Sequence, residues 1–331
     1  MVRAICLACA LLGAVSSGSV RADEAKPLEV IVFAGGFNWP IWAAEKQGYF
    51  AQNGVGVHLT PTPGSEYQLA NLVEGKFDIA HTAIDNVIAY MEGQGEAKVS
   101  VTPDLFVFMG GDNGFLRLVT VPEVTRYADL KGKELTVDAR TTGYAFVLEK
   151  MLQKGGLGES DYDLVKAGGV AARFDDLMQK KHAGTLLLSP FEVPAQAKGF
   201  TLLGNAIDVL GHYQGLVGAA RRGWARDHTA ELVGYIRGYV AGLEWLYQPG
   251  NKDAAIAIFR EHLPTMSPEL AAKSYDILLA PRGGFAPKAE LDAEGIRTVL
   301  ALRSEYGEPR KQLSNPAKYI DLSYYERAIK K

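Results

Sequence analysis

The chain has 331 residues, of which 47% are hydrophobic and 22% are charged, and its formal net charge is −3. These values are those of an ordinary globular protein, and the length allows one large domain or two domains of average size. The sequence has no basic stripe of the kind that indicates a nucleic-acid-binding protein. After the N-terminal segment, no apolar run reaches the 18 residues that indicate a transmembrane helix.

The first 22 residues differ from the rest of the chain. Arg3 is followed by an apolar stretch over 4–15 and then by small and polar residues up to Ala22. This order is typical of a secretory signal peptide (residues 1–22) cleaved after Ala22, with an uncleaved membrane anchor as the alternative. Both cysteines, Cys6 and Cys9, lie here, and the residues before Cys9 match a lipid-attachment site poorly. We therefore expect an exported mature chain without cysteine, disulfide or zinc–thiolate site.

From residue 28 onward, short β-rich runs alternate with helical patterns. The first set predicts strands over 28–33, 55–60, 77–80 and 105–109, and helices over 40–48, 65–75 and 82–93. Ser65 and Gln68 form a capping-box pattern, and Thr82 is a predicted N-cap. This strand and helix order favours a parallel sheet covered by helices.

A second set of similar size follows, and the chain then becomes helical. The second set predicts strands over 116–121, 135–138, 162–166, 185–188, 200–203 and 213–219, with helices over 144–154, 171–181 and 190–198. Further helices are predicted over 228–247, 267–279, 289–306 and 324–330. Because no low-complexity linker separates the two α/β sets, we predict two lobes joined by strands or short crossings.

The sequence lacks the common catalytic motifs. The mature chain contains no Gly-x-Ser-x-Gly elbow, P-loop or His-Glu-x-x-His motif, and no third glycine completes a dinucleotide fingerprint after Gly54 and Gly56. None of the six histidines is spaced to share a metal on one helix, and structural or surface roles are the simpler interpretation. We expect neither a cofactor nor a metal.

The strand-to-helix turns are the candidate binding elements, because ligands in open α/β sheets bind beyond the carboxyl ends of strands and helix N-termini favour anions. In the first set these turns contain Phe37, Asn38, Trp39, Ser65, Thr82 and Asp85. In the second set they contain Arg140, Thr141, Thr142, Gly143 and Tyr144, followed by Ser189, Phe191 and Glu192. Arg140 with its neighbouring hydroxyl groups suits a carboxylate or a related anion. The alternatives are aromatic packing within one lobe and simple helix capping.

Several short motifs follow one another along the chain in a characteristic order. They are Trp39 with Pro40, Ala44 with Gly48-Tyr49-Phe50, Gly54 with Val57, Gly64 with Ser65, Leu72 with Gly75, Asp78 and Ala80, and Asp129 with Lys133. Over residues 28–250, this order resembles the ABC-transporter periplasmic binding proteins for nitrate, taurine, aliphatic sulfonates and thiamine-type pyrimidines.

The resemblance implies an α/β, type II periplasmic-binding-protein fold with two α/β lobes around a central cleft. Lobe one would contain residues 23–110 and 214–331, and lobe two residues 111–213. Asp112 and Tyr213 would lie at the hinge crossings, beside the ligand. The implied partners are a small organic ligand and an ABC permease and ATPase at the inner membrane, and the implied oligomeric state is a monomer.

The resemblance implies the extracytoplasmic solute-binding component of an importer and no enzyme activity. Relatives often carry Gly-Ser or Gly-Thr where this chain has residues 140–143. The anion that those relatives bind is therefore not assigned to this chain. The aromatic candidates suggest an organic anion with an apolar or aromatic body, such as an aromatic carboxylate or sulfonate. If Arg140 binds it, Arg140→Ala weakens binding by at least about 1.5 kcal/mol. A sensing subunit, a pyrimidine binder and a thiamine-pyrimidine synthase-like enzyme are the alternatives.

Overall fold

The structure is a computed structural model that describes residues 26–330. The predicted signal peptide and its cleavage position lie outside these residues. The strands are β1 (Leu28–Phe33), β2 (Val57–Thr62), β3 (Ile79–Ala83), β4 (Leu105–Gly110), β5 (Leu116–Thr120), β6 (Lys133–Val137), β7 (Tyr162–Lys166), β8 (Gly184–Leu188), β9 (Thr201–Asn205) and β10 (Leu216–Arg221).

Helices follow most strands and form the C-terminal third. They are α1 (Trp39–Lys46), α2 (Tyr49–Gln52), α3 (Ser65–Val73), α4 (Ile84–Met91), α5 (Gly143–Lys154), α6 (Val170–Met178), α7 (Glu192–Ala197), α8 (Ala206–Leu210), α9 (Arg222–Asp227), α10 (Thr229–Leu246), α11 (Lys252–His262), α12 (Pro268–Leu278), α13 (Ala293–Tyr306) and α14 (Ser323–Ile329). Among these described helices, none has the length and apolar character needed to cross a membrane.

The strands form two mixed sheets with the same arrangement. Sheet I has the order β2-β1-β3-β10-β4, and sheet II has the order β7-β6-β8-β5-β9. In sheet I, β1 is parallel to β2 and β3, while β10 is antiparallel to β3 and β4. In sheet II, β6 is parallel to β7 and β8, while β5 is antiparallel to β8 and β9. The chain therefore crosses to sheet II between β4 and β5 and returns between β9 and β10.

Both sheets are covered by helices, and some of their strands are buried along their whole length. Every residue of β4 and of β5 is buried. Strands buried on both faces are expected to be continuous apolar runs rather than alternating ones, which is why β4 was recognisable in the sequence. Helix α10 packs closely on α1 because Gly242 has no side chain: a Cβ there would lie 2.4 Å from the carbonyl oxygen of Pro40.

Two local predictions are wrong. Thr82 does not cap a helix, because it lies inside β3 and α4 begins only at Ile84. Ser65 and Gln68 do not form a capping box: Ser65 is already the first residue of α3, and the Gln68 amide donates to the carbonyl groups of Ile31 and His81. Hydrogen bonds from the Gln68 side chain to buried carbonyl groups of β1 and β3 replace a local bond to the helix N-terminus.

Four helices, α2, α8, α9 and α11, were not predicted. The first three have six residues or fewer and lie in turns, where a periodic apolar pattern cannot develop.

Candidate ligand-binding site

A narrow cavity of about 20 Å³, room for about one water molecule, lies between the two sheets. On the sheet I side it is lined by Phe33, Ala83, Asn86 and Leu216, and on the sheet II side by Asp138, Thr142, Tyr144, Val170, Arg173 and Leu188. Phe33, Ala83 and Leu188 end strands β1, β3 and β8, and Asp138 follows β6. The cavity is thus formed at the carboxyl ends of strands from both sheets, as expected for an α/β binding site.

Arg173 on α6 is the positively charged side chain in the lining of the cavity. Its side chain is 2% exposed, its Nη1 donates to the Leu186 carbonyl (2.6 Å) and the Thr185 hydroxyl (3.2 Å), and its Nε donates to the Gly168 carbonyl (3.1 Å). Within residues 26–330, no carboxylate lies within ion-pair distance of the guanidinium and no hydrogen bond involves Nη2. Burial lowers the pKa of Arg173, although Asp138 and Tyr144 oppose this shift. A buried charge with no ion-pair partner in contact favours the binding of an acidic group.

Tyr144 and Asn86 line the same cavity as Arg173, and Tyr213 packs beside Tyr144. The rings of Tyr144 and Tyr213 are 6.2 Å apart and inclined by 53°. The Tyr213 hydroxyl is buried and makes no hydrogen bond among the described residues, and burial raises its pKa well above the usual value. Asn86 lines the cavity and donates from Nδ2 to the Thr82 hydroxyl (3.0 Å), so Thr82 orients a lining residue from within β3. The surroundings suit a flat or apolar ligand body.

The N-terminus of α3 is bound by a carboxylate from the opposite side of the cavity. The backbone N–H of Ser65 donates to Oδ2 of Asp138 (3.0 Å), and the Gly169 N–H donates to the Pro63 carbonyl beside it (2.8 Å). These hydrogen bonds join the turn after β2 to the turns after β6 and β7. The sheet I and sheet II sides are therefore in direct contact, which describes a closed arrangement.

A second contact across the cavity involves a buried ion pair. Arg303 on α13 and Asp85 on α4 are 0% and 1% exposed, and the Arg303 Nε donates to Oδ1 of Asp85 (2.8 Å). Arg303 also donates to the backbone carbonyl of Thr141 (2.8 Å), while the exposed Thr141 hydroxyl donates to Glu96. Gly143 packs directly on Asp85, since a Cβ there would lie 2.3 Å from the Asp85 Cγ. Asp85, Thr141 and Gly143 thus form the contact between α4 and the start of α5.

Asp112 lies where the chain crosses between the sheets. Its Oδ1 accepts from the N–H groups of Gly114 (2.7 Å) and Phe115 (3.0 Å), and its Oδ2 accepts from the N–H of Leu216 on the returning crossing. Burial raises the pKa of Asp112 to about 6, against the opposing effect of these N–H donors and of Arg117. Asp112 therefore holds the two crossings together.

The first predicted turn lies mostly in the core on the sheet I side. Trp39 is fully buried, donates from Nε1 to the Ala255 carbonyl (3.1 Å) and packs on Phe259 with ring centroids 4.3 Å apart. Phe37 is also buried, and Asn38 donates from Nδ2 to the carbonyl groups of Phe33 (2.7 Å) and Gly35 (3.1 Å). None of these three residues lines the cavity.

The turn after β8 lies beside a different, mainly apolar cavity. Phe191 lines that cavity with Gly35 and Phe174, and the rings of Phe174 and Phe191 are 5.1 Å apart. Ser189 donates to Oε1 of Glu192 (2.7 Å), and burial raises the pKa of Glu192. Glu192 lies 3.9 Å from the Arg117 guanidinium, so the polar residues of this turn bind one another.

Arg140 points away from the cavity. It is exposed, and its Nη2 donates to the Leu164 carbonyl in β7. The structure thus brings Thr142 and Tyr144 into the cavity lining, places Ser65, Asp85, Thr141, Gly143 and Tyr213 around it, and leaves Arg140 outside it. A binding role for Arg140 stays a prediction that this position does not favour.

Sequence reasoning missed Arg173, Asp138, Asn86 and Arg303. A signal for Arg173 existed, because Gly168 and Gly169 mark a tight strand-to-helix turn directly before α6. Arg173 itself lies in an ordinary helical pattern, where an arginine is expected to be solvated. Its burial depends on the packing of α6 against β8, which the sequence does not report.

Comparisons with known proteins agree with this architecture. Residues 38–250 match the sequence profile of the family described as NMT1/THI5 like. No curated protein matches the sequence significantly.

Three solved structures are similar in fold. The ligand-binding component of an ABC-type import system from Staphylococcus aureus has a TM-score of 0.72 and 12% identity, over 91% of this chain and 98% of that one. The periplasmic nitrate-binding protein NrtA from Synechocystis PCC 6803 has a TM-score of 0.74 and 12% identity, over 91% and 88%. The alkanesulfonate-binding protein SsuA from Xanthomonas axonopodis pv. citri, bound to MOPS, has a TM-score of 0.69 and 16% identity, over 91% and 99%. The predicted α/β periplasmic-binding fold is therefore confirmed.

Proposed function

Because the chain belongs to the NMT1/THI5-like family, we propose that it is the solute-binding component of an ABC importer and binds a small organic anion between its two sheets. The similarity in fold to an ABC-type ligand-binding component, a nitrate-binding protein and an alkanesulfonate-binding protein supports the transport role. On this proposal the mature chain is a periplasmic monomer that delivers its ligand to a permease and ATPase without altering it.

The proposed lobes follow the two sheets. Lobe one consists of residues 23–110 and 214–331, and lobe two of residues 111–213; every strand of sheet I falls in the first set and every strand of sheet II in the second. Asp112 and Leu216 lie at the crossings between them. The ligand enters when the lobes separate at these crossings and is enclosed when they close around it.

The observation that carries the ligand class is Arg173, a buried guanidinium without an ion-pair partner among the described residues, at the wall of the interlobe cavity. An acidic group of the ligand would accept hydrogen bonds from it in a site with little water, where charge-assisted bonds are strong. Phe33 and Tyr144 would contact the body of the ligand. We favour an aromatic carboxylate, with an aromatic or aliphatic sulfonate as the related candidate.

A thermal-shift screen of the purified mature chain against organic acids, sulfonates, pyrimidines and amines tests the ligand class. A ligand at 100 times its Kd adds about 2.7 kcal/mol to the free energy of unfolding. We expect acids to raise Tm and the bound compound to be recovered unchanged. Recovery of a chemically altered compound, or stabilisation by amines alone, would contradict the proposal.

Titration calorimetry on Arg173→Gln then tests the residue. We expect the affinity for the acid to fall by at least about 1.5 kcal/mol, or about tenfold, because a charge-assisted hydrogen bond is lost. Arg173→Lys retains the charge and should retain part of the affinity.

Arg140→Ala is the matched control, because it removes an exposed arginine of the same lobe from outside the cavity. Its affinity should equal that of the wild type. The opposite result, with Arg140→Ala weak and Arg173→Gln unchanged, would return the anion-binding role to Arg140.

A further inference from the structure

We propose that Asp138 selects ligands that carry an N–H donor beside their acidic group. The inference rests on the proposed function, because it concerns the same interlobe cavity and assigns a narrower class of ligand to it. That class is a small amphoteric ring compound, with an acid group for Arg173 and an amino or ring N–H group for Asp138.

Asp138 has acceptor capacity that the protein itself does not use. It follows the last residue of β6, is 9% exposed, and lines the same cavity as Arg173. Its Oδ2 accepts from the Ser65 N–H, whereas no described residue donates to Oδ1, and no lysine, arginine or histidine of residues 26–330 lies within ion-pair distance. A carboxylate offers about four lone-pair positions, so one hydrogen bond leaves most of them free.

The position of this carboxylate is also selective against simple anions. A helix N-terminus often binds an anionic ligand, but the α3 N-terminus beside this cavity is bound by Asp138. An ion that is negative on all sides, such as nitrate, would approach Arg173 and meet the Asp138 charge in the same narrow space. Repulsion between like charges in a site with little water opposes its binding.

A ligand with two different ends avoids this repulsion. Its acid group binds Arg173, and its N–H group donates to Asp138, so that both buried charges gain a partner. A buried polar group without a hydrogen bond costs free energy, and a site built for such a bond discriminates strongly against analogues that lack the donor. Asn86 and Thr142 add neutral polar groups to the same lining and do not change the balance of charge.

The test compares matched acids with and without a donor. Wild type, Asp138→Asn and Asp163→Asn are titrated calorimetrically with benzoate, with 2-, 3- and 4-aminobenzoate, and with nitrate. Asp163 is an exposed aspartate of β7 and serves as the matched control. Asp138→Asn retains the shape of the side chain and an oxygen for the Ser65 N–H, and circular dichroism verifies that the variant is folded.

We expect the wild type and Asp163→Asn to bind at least one aminobenzoate roughly tenfold or more tightly than benzoate, and to bind nitrate more weakly than either. Asp138→Asn should reduce that preference to about threefold or less and bind benzoate at least as well as the wild type does.

The inference is overturned if the wild type binds benzoate as tightly as every aminobenzoate, or if Asp138→Asn leaves the preference unchanged. In both cases the proposed function survives, provided that Arg173→Gln still weakens the binding of the acids. If none of the acids binds the wild type, or if Arg173→Gln has no effect, the proposed ligand class fails and this inference fails with it.

Discussion

Arg303 shows how one side chain can connect the two sides of the cavity. Its guanidinium binds Asp85 on α4 and the Thr141 carbonyl before α5, and lies 4.6 Å over the ring of Phe146. Both members of the ion pair are fully buried. The pair is not a strong source of stability in itself, because desolvation offsets much of the attraction, but the loss of one member leaves a buried charge alone.

Arg303→Leu should therefore destabilise the protein by about 3–5 kcal/mol, since the Asp85 carboxylate remains buried without its cation. The matched control is Arg297→Leu on the same helix, where the partner Glu294 and Arg297 are both exposed, and we expect a change within about 0.5 kcal/mol. Urea denaturation at pH 7 measures both. Equal midpoints for the two variants would show that the buried pair has no special role.

At the scale of elements, the closed arrangement depends on the first turn of α5 lying against α4. Gly143 is the first residue of α5, and the position that a Cβ would take lies 2.3 Å from Cγ and 2.5 Å from Cβ of Asp85. Asp85 is itself held by Arg303 and cannot move aside freely. The two helices therefore approach each other only because this residue has no side chain.

Gly143→Ala should keep α4 and α5 apart, because the added methyl group and the Asp85 side chain cannot occupy the same space. We expect ligand binding to weaken by about 1–3 kcal/mol, the usual cost of overpacking, while the protein stays folded. Calorimetry measures the affinity, and small-angle scattering with ligand should show a larger radius of gyration than for the wild type.

Gly250→Ala is the control, since a Cβ at that exposed position meets nothing within 4 Å. If Gly143→Ala compacts with ligand as the wild type does, the contact between α4 and α5 does not limit closure.

At the scale of the whole molecule, the two crossings between the sheets are held by one carboxylate. Asp112 accepts from N–H groups on both crossings, and Gln214 donates from Nε2 to the carbonyl groups of Asp112 and Leu216, each at 3.0 Å. On the proposed lobe division, these hydrogen bonds would tie the two lobes together at one point. Because burial raises the pKa of Asp112 to about 6, its charge also makes stability depend on pH.

The direction of this dependence follows from proton binding. An unfolded aspartate has a pKa of about 3.9, so between pH 4 and 6 the native state holds the Asp112 proton more tightly than the unfolded state does. The stabilisation of the native state by this tighter proton binding is fully present below about pH 4 and is lost as the pH rises through 6. It corresponds to about 3 kcal/mol, from 1.36 kcal/mol for each pKa unit.

Asp112→Asn cannot lose a proton and lacks this contribution. We therefore expect the free energy of unfolding of the wild type, minus that of Asp112→Asn, to fall by about 3 kcal/mol between pH 4 and pH 7. Urea titrations at four pH values across that interval measure the difference. A difference that stays constant over the interval would show that Asp112 has an ordinary pKa in the folded protein.

The sequence by itself determined the fold class and most of the regular elements. The strands over 28–33 and 162–166 were predicted with their observed bounds, because apolar and β-branched runs are short-range signals bounded by turn residues. The order of strands and helices also led to the edge of the sheets where the cavity lies, since carboxyl ends of strands gather there for topological reasons. The lobe boundaries and the binding roles of the predicted residues stay predictions.

Only the tertiary structure decided which side chains surround the cavity. Trp39 and Arg140 were both binding candidates in the sequence, yet one lies in the core on the sheet I side and the other on the exterior. Arg173 and Arg303 resemble solvated helix residues until α6 and α13 are packed against their neighbours. The physical reason is that burial and charge pairing depend on contacts between segments far apart in the chain, such as the 218 positions between Asp85 and Arg303, which no local pattern encodes.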